Sequence, residues 1–184
     1  MVRLAIFGTG GMANAQAAAF KAIASVRVAA CCDLDHQRAR DFAQRHAIPH
    51  AYADADALLA AGGIDAVSIV ASDAAHKDLA LRAAARGVHI LCEKPLATNA
   101  AAAEAMLRAV RKAGVLHMVN FSYRAAAALY KAQALVAAGA IGDLRHVEAS
   151  YLQGWLSRTV WRTQAPIGPG GLWRMSAAQS NGDL

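Results

Sequence analysis

No stretch of this chain approaches the roughly 18 consecutive apolar residues that a membrane-spanning helix needs. No basic segment followed by an apolar one precedes the first apolar run, as a secretory leader would require. The expectation is a soluble, cytoplasmic protein without a membrane partner. Cysteine is sparse: Cys31, Cys32 and Cys92 are the whole set. They stand at the ends of apolar runs, where reduced core thiols are the economical reading, and neither a disulfide nor a metal site is expected. Dense lysine-arginine runs are missing as well. The net charge of +6 and the pI near 9.6 raise the question of nucleic acid, but the basic residues are scattered along helical segments with no aromatic residues among them. A solvated basic surface that attracts an anionic ligand is the better account, and no nucleic-acid partner is expected. With 17% charged against 57% hydrophobic residues, the chain is globular rather than disordered.

What is present begins at the first residues. An apolar strand, Val2 to Phe7, runs into Gly8-Thr9-Gly10-Gly11-Met12-Ala13, and a helix to about Ala24 follows at once. This is a GxGxxA turn. Gly8 permits the tight reversal, Gly10 lets backbone N–H groups approach a pyrophosphate, and the small Ala13 lets the helix pack on the strand. The helix N-terminus, with unpaired N–H groups and a partial positive charge, faces the phosphates. A second strand, Arg27 to Cys32, ends in Asp33, twenty residues past Ala13. A carboxylate at that tip accepts hydrogen bonds from the adenine-ribose hydroxyls and repels a 2′-phosphate, which favours NAD over NADP. Arg38 and Arg40 weigh the other way, since a nearby guanidinium suits the extra phosphate. The plain structural alternative is a tight glycine turn with Asp33 capping the next helix.

Apolar β-rich runs alternate with alanine-rich helical segments, the pattern of a parallel sheet built from βαβ units. The spacing predicts a helix over Asp35 to His46, a short strand around His50 to Tyr52, a helix over Asp54 to Ala61 and a strand Ile64 to Ala71. A helix capped by Ser72 or Asp73 then runs to about Arg86, stopped by Gly87. Val88 to Cys92 is the fifth strand. Thr98 or Asn99 caps a helix to Ala113, and Val115 to Asn120 is the sixth strand. The fold class is therefore α/β, a doubly wound parallel Rossmann sheet over residues 1–121. From 122 to 184 the register changes. A helix from about Ala125 to Ala138 precedes the alternating strand Arg145 to Leu152, and Trp155, Trp161 and Trp173 follow with the loop Gly168-Pro169-Gly170-Gly171. Sixty-odd residues with one helix and one strand are too few for an independent core, so this region is expected to be the incomplete start of an α+β domain.

Ligands of open α/β sheets lie across the carboxyl ends of the strands. There the sequence places Glu93-Lys94-Pro95. Proline fixes the backbone after the lysine, and a partly desolvated Lys94 beside nicotinamide has the chemistry to exchange a proton with a substrate hydroxyl, with Glu93 orienting it or touching the nicotinamide ribose. An exposed Glu-Lys pair in a turn is the plain alternative.

Taken together, Gly8 to Ala13, Asp33, Ala71-Ser72-Asp73-Ala74-Ala75-His76, Cys92 to Ala97 and Val119-Asn120-Phe121-Ser122-Tyr123-Arg124 resemble the Gfo/Idh/MocA oxidoreductases over essentially the whole chain. The resemblance implies NAD(P)-dependent oxidation of a secondary alcohol on a sugar, inositol or related polyol, or the reverse reduction. It implies Lys94 as the catalytic or substrate-orienting residue and Asn120 near the nicotinamide. It adds Ser72, Asp73 and His76 to a cofactor-binding set of Gly8, Gly10, Gly11, Met12, Ala13, Asp33, Glu93 and Lys94. On its own position, in the first turn of a helix, His76 reads equally well as a cap or packing residue. Two departures stand out. The family's Thr-Pro before this helix is Ala71-Ser72 here, and the family's DxGxH-like segment is missing, with Ser180 to Leu184 resembling the stretch just before it. The resemblance further implies pairing of subunits in the full-length form. The tail arginines Arg124, Arg158, Arg162 and Arg174 and the tryptophans suit a sugar-binding surface or ordinary packing and surface charge. Beside the dehydrogenase reading stands a second one, a non-catalytic dinucleotide-binding sensor or interaction module.

Overall fold

The structure, a computed structural model, describes residues 1–152. Six strands alternate with five helices: β1 (Val2–Phe7), α1 (Gly11–Lys21), β2 (Val26–Cys32), α2 (His36–Arg45), β3 (His50–Tyr52), α3 (Ala55–Ala61), β4 (Ala66–Ile69), α4 (Asp73–Ala85), β5 (His89–Glu93), α5 (Ala100–Ala113) and β6 (His117–Asn120). The strands form one parallel sheet in the order β3-β2-β1-β4-β5-β6. The order reverses direction between β1 and β4, so the crevice above those two strands is the switch point where ligands of doubly wound sheets bind. This is a Rossmann-like fold.

Side chains alternate across the strands and feed two cores. Leu4 and Ile6 of β1 pack with Val28, Cys31 and Phe42 beneath α1 and α2, where Ala13 and Ala17 are fully buried. Ala5 and Phe7 face the other way, into the larger core with Val67, Ile69, Ile90 and Cys92 under α3, α4 and α5. Alanine on the inner face of α1 lets the helix lie close to the sheet, which brings its N-terminus over the switch point. The three thiols are buried in these cores and free. Burial pushes Cys31 up to about 11 and Cys32 and Cys92 up to about 12, so none is a thiolate at neutral pH.

Helix boundaries follow local chemistry. Asp35, Asp54 and Asn99 cap α2, α3 and α5, each side chain accepting from a backbone N–H three residues on. Asp33 is thus not the cap of α2; Asp35 is. Helix α1 ends at Lys21 rather than near Ala24, because a turn over Ile23 to Val26 is needed to enter β2. Strand β4 is shorter than Ile64 to Ala71. At its start Asp65 is bound to the backbone and guanidinium of Arg3, and Ala71 leaves the sheet toward the crevice.

The chain divides after Asn120, and a second unit begins at Phe121. Its described part holds a 3-10 turn over Ser122–Ala125 and α6 (Ala127–Ala137), in which no residue is buried. The strand expected over Arg145 to Leu152 is not there: these residues are exposed and take no regular secondary structure. Alternation alone does not make a strand. Its N–H and C=O groups need a neighbouring strand, and the described residues of this unit provide none. Trp155, Trp161, Trp173, Arg158, Arg162, Arg174, the glycine-rich loop and Ser180 to Leu184 lie outside the described residues.

Candidate dinucleotide site

The turn after β1 has the geometry that its glycines predict. Gly8 has φ of +91°, and a Cβ there would sit 2.8 Å from backbone atoms of Val70 and Ala71, so both conformation and space demand glycine. At Gly10 and Gly11 a Cβ would meet nothing within 4 Å. The turn is open on the side a ligand would approach. Gly10 is the N-cap of α1 and contributes no side-chain cap, and Ser72, the N-cap of α4, makes no such bond either. The two uncapped helix starts follow β1 and β4, the strands that flank the switch point. Neither N-cap side chain therefore accepts from a first-turn N–H group, in the place where a diphosphate would supply acceptors. Met12 is half exposed beside the turn, and Ala13 is sealed against the sheet.

Asp33 stands at the end of β2, nearly buried. Its Oδ2 accepts from the Thr9 backbone N–H at 2.9 Å, the Thr9 hydroxyl at 2.8 Å and Arg38 Nε at 3.1 Å. Oδ1 accepts from Arg38 Nη2 and from the Asp35 N–H. Burial alone would raise this carboxyl, but the Arg38 guanidinium and the Thr9 amide and hydroxyl outweigh it and hold the group below the usual carboxylate value. Arg40 is engaged elsewhere, with Gln37 and His36.

At the other end of the crevice, Glu93 closes β5 and is also nearly buried. Its Oε1 accepts from Gln16 Nε2 at 2.7 Å and from Asn120 Nδ2 at 2.6 Å, while Oε2 accepts from the Lys94 backbone N–H at 3.2 Å. Ser68 Oγ donates to Gln16 Oε1. The register explains the meeting: Glu93 pairs with Asn120 across β5 and β6, and both share with Ser68 the sheet face that α1 covers. The Lys94–Pro95 bond is cis, and Lys94 itself is exposed. Glu93 therefore binds the backbone of Lys94, with its side-chain partners drawn from α1 and β6.

His76 is fully buried. Its Nδ1 lies 2.9 Å from the Pro95 carbonyl oxygen and its Nε2 lies 3.1 Å from that of Ala71. The ring ties the loop after β4 to the turn after β5; it supports the crevice without lining it. Asp73 is buried in the first turn of α4 and Ser72 is half-buried before it. Sequence reasoning passed over three residues here: Thr9, Gln16 and Ser68. The readable signal for the last two was a lone polar residue in an apolar setting, Gln16 within an alanine helix and Ser68 within Ala66–Ile69. Among the described residues no buried polar side-chain atom lacks a partner. No group of three or more His, Cys, Asp or Glu suited to a metal ion occurs among them, and no described helix is long and apolar enough to cross a membrane.

Residues 2–121 match the model of the Gfo/Idh/MocA oxidoreductase family described as its NAD-binding Rossmann fold, and residues 129–177 match a C-terminal domain of the same family. The chain belongs to the Gfo/Idh/MocA family. Among its Gfo/Idh/MocA-like relatives, D-apiose dehydrogenase of Rhizobium rhizogenes is 34% identical over 139 residues, which are 76% of this chain and 40% of that protein. The NADP(+) scyllo-inositol 2-dehydrogenase of Bacillus subtilis is 34% identical over 64% of this chain and 36% of its own length. An oxidoreductase from Agrobacterium radiobacter, solved with NAD+, L-tartaric acid and magnesium, superposes with a TM-score of 0.75 at 34% identity, over 77% of this chain and 42% of that one. The chain thus spans about two fifths of the length of the Gfo/Idh/MocA proteins it matches.

Proposed function

We propose that this chain binds NAD in the crevice above β1 and β4 and forms the coenzyme-binding part of a dehydrogenase acting on a secondary alcohol of a sugar, inositol or related polyol. The observation that carries the reading is the pair of uncapped helix starts beside an open glycine turn, with a buried carboxylate, Asp33, at the neighbouring strand end. Gly10, Gly11 and Met12 offer backbone N–H groups to the diphosphate. Asp33 takes an adenine-ribose hydroxyl as the half-exposed Arg38 yields its place, and the same buried carboxylate disfavours a 2′-phosphate, hence NAD over NADP. When bound, the nicotinamide supplies hydride acceptance and donation. Lys94 Nζ, at the carboxyl end of β5, holds or moves the proton of the substrate hydroxyl, and Asn120 and Glu93 bound the nicotinamide side. The substrate class is supported by what the D-apiose and scyllo-inositol dehydrogenases are named for.

Calorimetric titration of the 184-residue chain with NAD+ and NADP+ tests this. The expected result is saturable binding with NAD+ tighter by roughly tenfold, about 1.4 kcal/mol. Absence of saturable binding by either coenzyme removes the proposal, and tighter NADP+ binding reverses its preference.

A further inference from the structure

Glu93 has four acceptor positions on two oxygens. Gln16 and Asn120 fill both positions on Oε1, and the Lys94 N–H takes one on Oε2. Among the described residues one position remains, on Oε2. The donor that decides this arrangement comes from far away in sequence: Gln16 sits in the second turn of the helix whose N-terminus opens on the glycine turn, 77 residues before Glu93. A glutamine amide can bind a carboxylate only through its nitrogen, and here it has no freedom to turn. The Glu93 carboxylate only accepts, so the NH₂ group faces it, and the fully buried Ser68 hydroxyl donates to Gln16 Oε1 on the other side and holds the amide there.

We infer that Gln16 is a positioning residue: held by Ser68, it saturates one oxygen of Glu93 together with Asn120 and leaves the other to accept a single ligand hydroxyl at the nicotinamide end. The helix that receives the diphosphate and the carboxylate that meets the nicotinamide ribose or the substrate are then one hydrogen-bonded unit. Loss of the Gln16 amide lets the carboxylate turn, and Oε2 no longer presents its free position in a fixed direction. The effect falls on ligands that reach past the diphosphate to the nicotinamide end. It spares those that stop short of it.

This inference rests on the coenzyme reading above, and the test separates the two. NAD+ and ADP, which keeps the adenosine and diphosphate but lacks nicotinamide and its ribose, are titrated in parallel into the full chain and into Gln16→Met and Ser68→Ala. Gln16→Met keeps side-chain length and apolar packing. The expected result is NAD+ binding weakened about tenfold in Gln16→Met and about threefold in Ser68→Ala, with ADP affinity within twofold of the unaltered chain in both. Parallel loss of NAD+ and ADP affinity would mean that Gln16 merely seats the helix, and unchanged NAD+ affinity in both variants would mean that Glu93 needs no such support; either result overturns the inference while the coenzyme reading stands. If Gln16→Met does not fold, Ser68→Ala alone decides by the same ratio of affinities. No binding of either ligand by the unaltered chain overturns both proposals together.

Discussion

The Asp33 carboxylate is almost withdrawn from water, and an ion so placed persists only where donors replace its hydration. Thr9 supplies two, the Asp35 N–H one and Arg38 two. These bonds hold its proton affinity below that of the unfolded chain. A carboxyl depressed in this way contributes stability that is present in full above its unfolded value, near pH 4, and that is lost as the pH falls through the lower folded value. Replacing Asp33 with Asn should therefore cost about 1–2 kcal/mol at pH 7, a figure discounted because Arg38 is half exposed. The penalty should shrink steadily below about pH 4. Urea denaturation of both proteins between pH 3 and pH 7 measures this, and a difference independent of pH would show that the ionised form is not what matters. Asp33 was legible from its place after a strand. Arg38 and Thr9 as its partners were not, because a residue's spacing from a motif does not say where a flexible guanidinium or a turn hydroxyl will settle.

Among the helices of the first unit, capping falls into two groups. Helices α2, α3 and α5 have side-chain caps, whereas α1 and α4 begin with none, although Gly10 has ordinary dihedrals that any residue adopts. Gly10→Asp should thus fold without strain, its side chain entering open space and capping α1 for a gain of about 0.5–1 kcal/mol. The same carboxylate occupies the place of the diphosphate and repels it, so NAD+ affinity should fall by roughly tenfold or more. Thermal denaturation and calorimetry on one sample check the two opposite signs. Stability and affinity falling together would mean that the α1 terminus is not where the anion binds. The alternation of apolar runs with alanine helices made the succession of strands and helices along the chain legible, since period-2 and period-3.6 patterns are local. The helix ends at Asp35, Asp54 and Asn99 were legible for the same reason. The Gln16–Glu93–Asn120 union was not, because it depends on sheet register and on how closely α1 approaches, and both follow from packing. Arg145 to Leu152 failed in the opposite sense: the local pattern was sound, but a strand is a property of a pair.

At the scale of the molecule, the described chain is two units of unlike character. The first, through Asn120, owns both cores. In the second, α6 buries none of its residues among those described, so its backbone bonds open at little cost. A ligand stabilises only what must be folded to bind it, by about 2.7 kcal/mol at a hundredfold excess over its dissociation constant. All contacts proposed for NAD lie within the first unit. Coenzyme should therefore slow amide exchange most at residues 8–13, at Glu93 and Lys94 and in the first turns of α1 and α4, and leave residues 127–137 as they were. Hydrogen exchange followed by mass spectrometry, with and without NAD+, reads both units at once. Equal protection gained by α6 would mean that the two units open together and that coenzyme binding couples them.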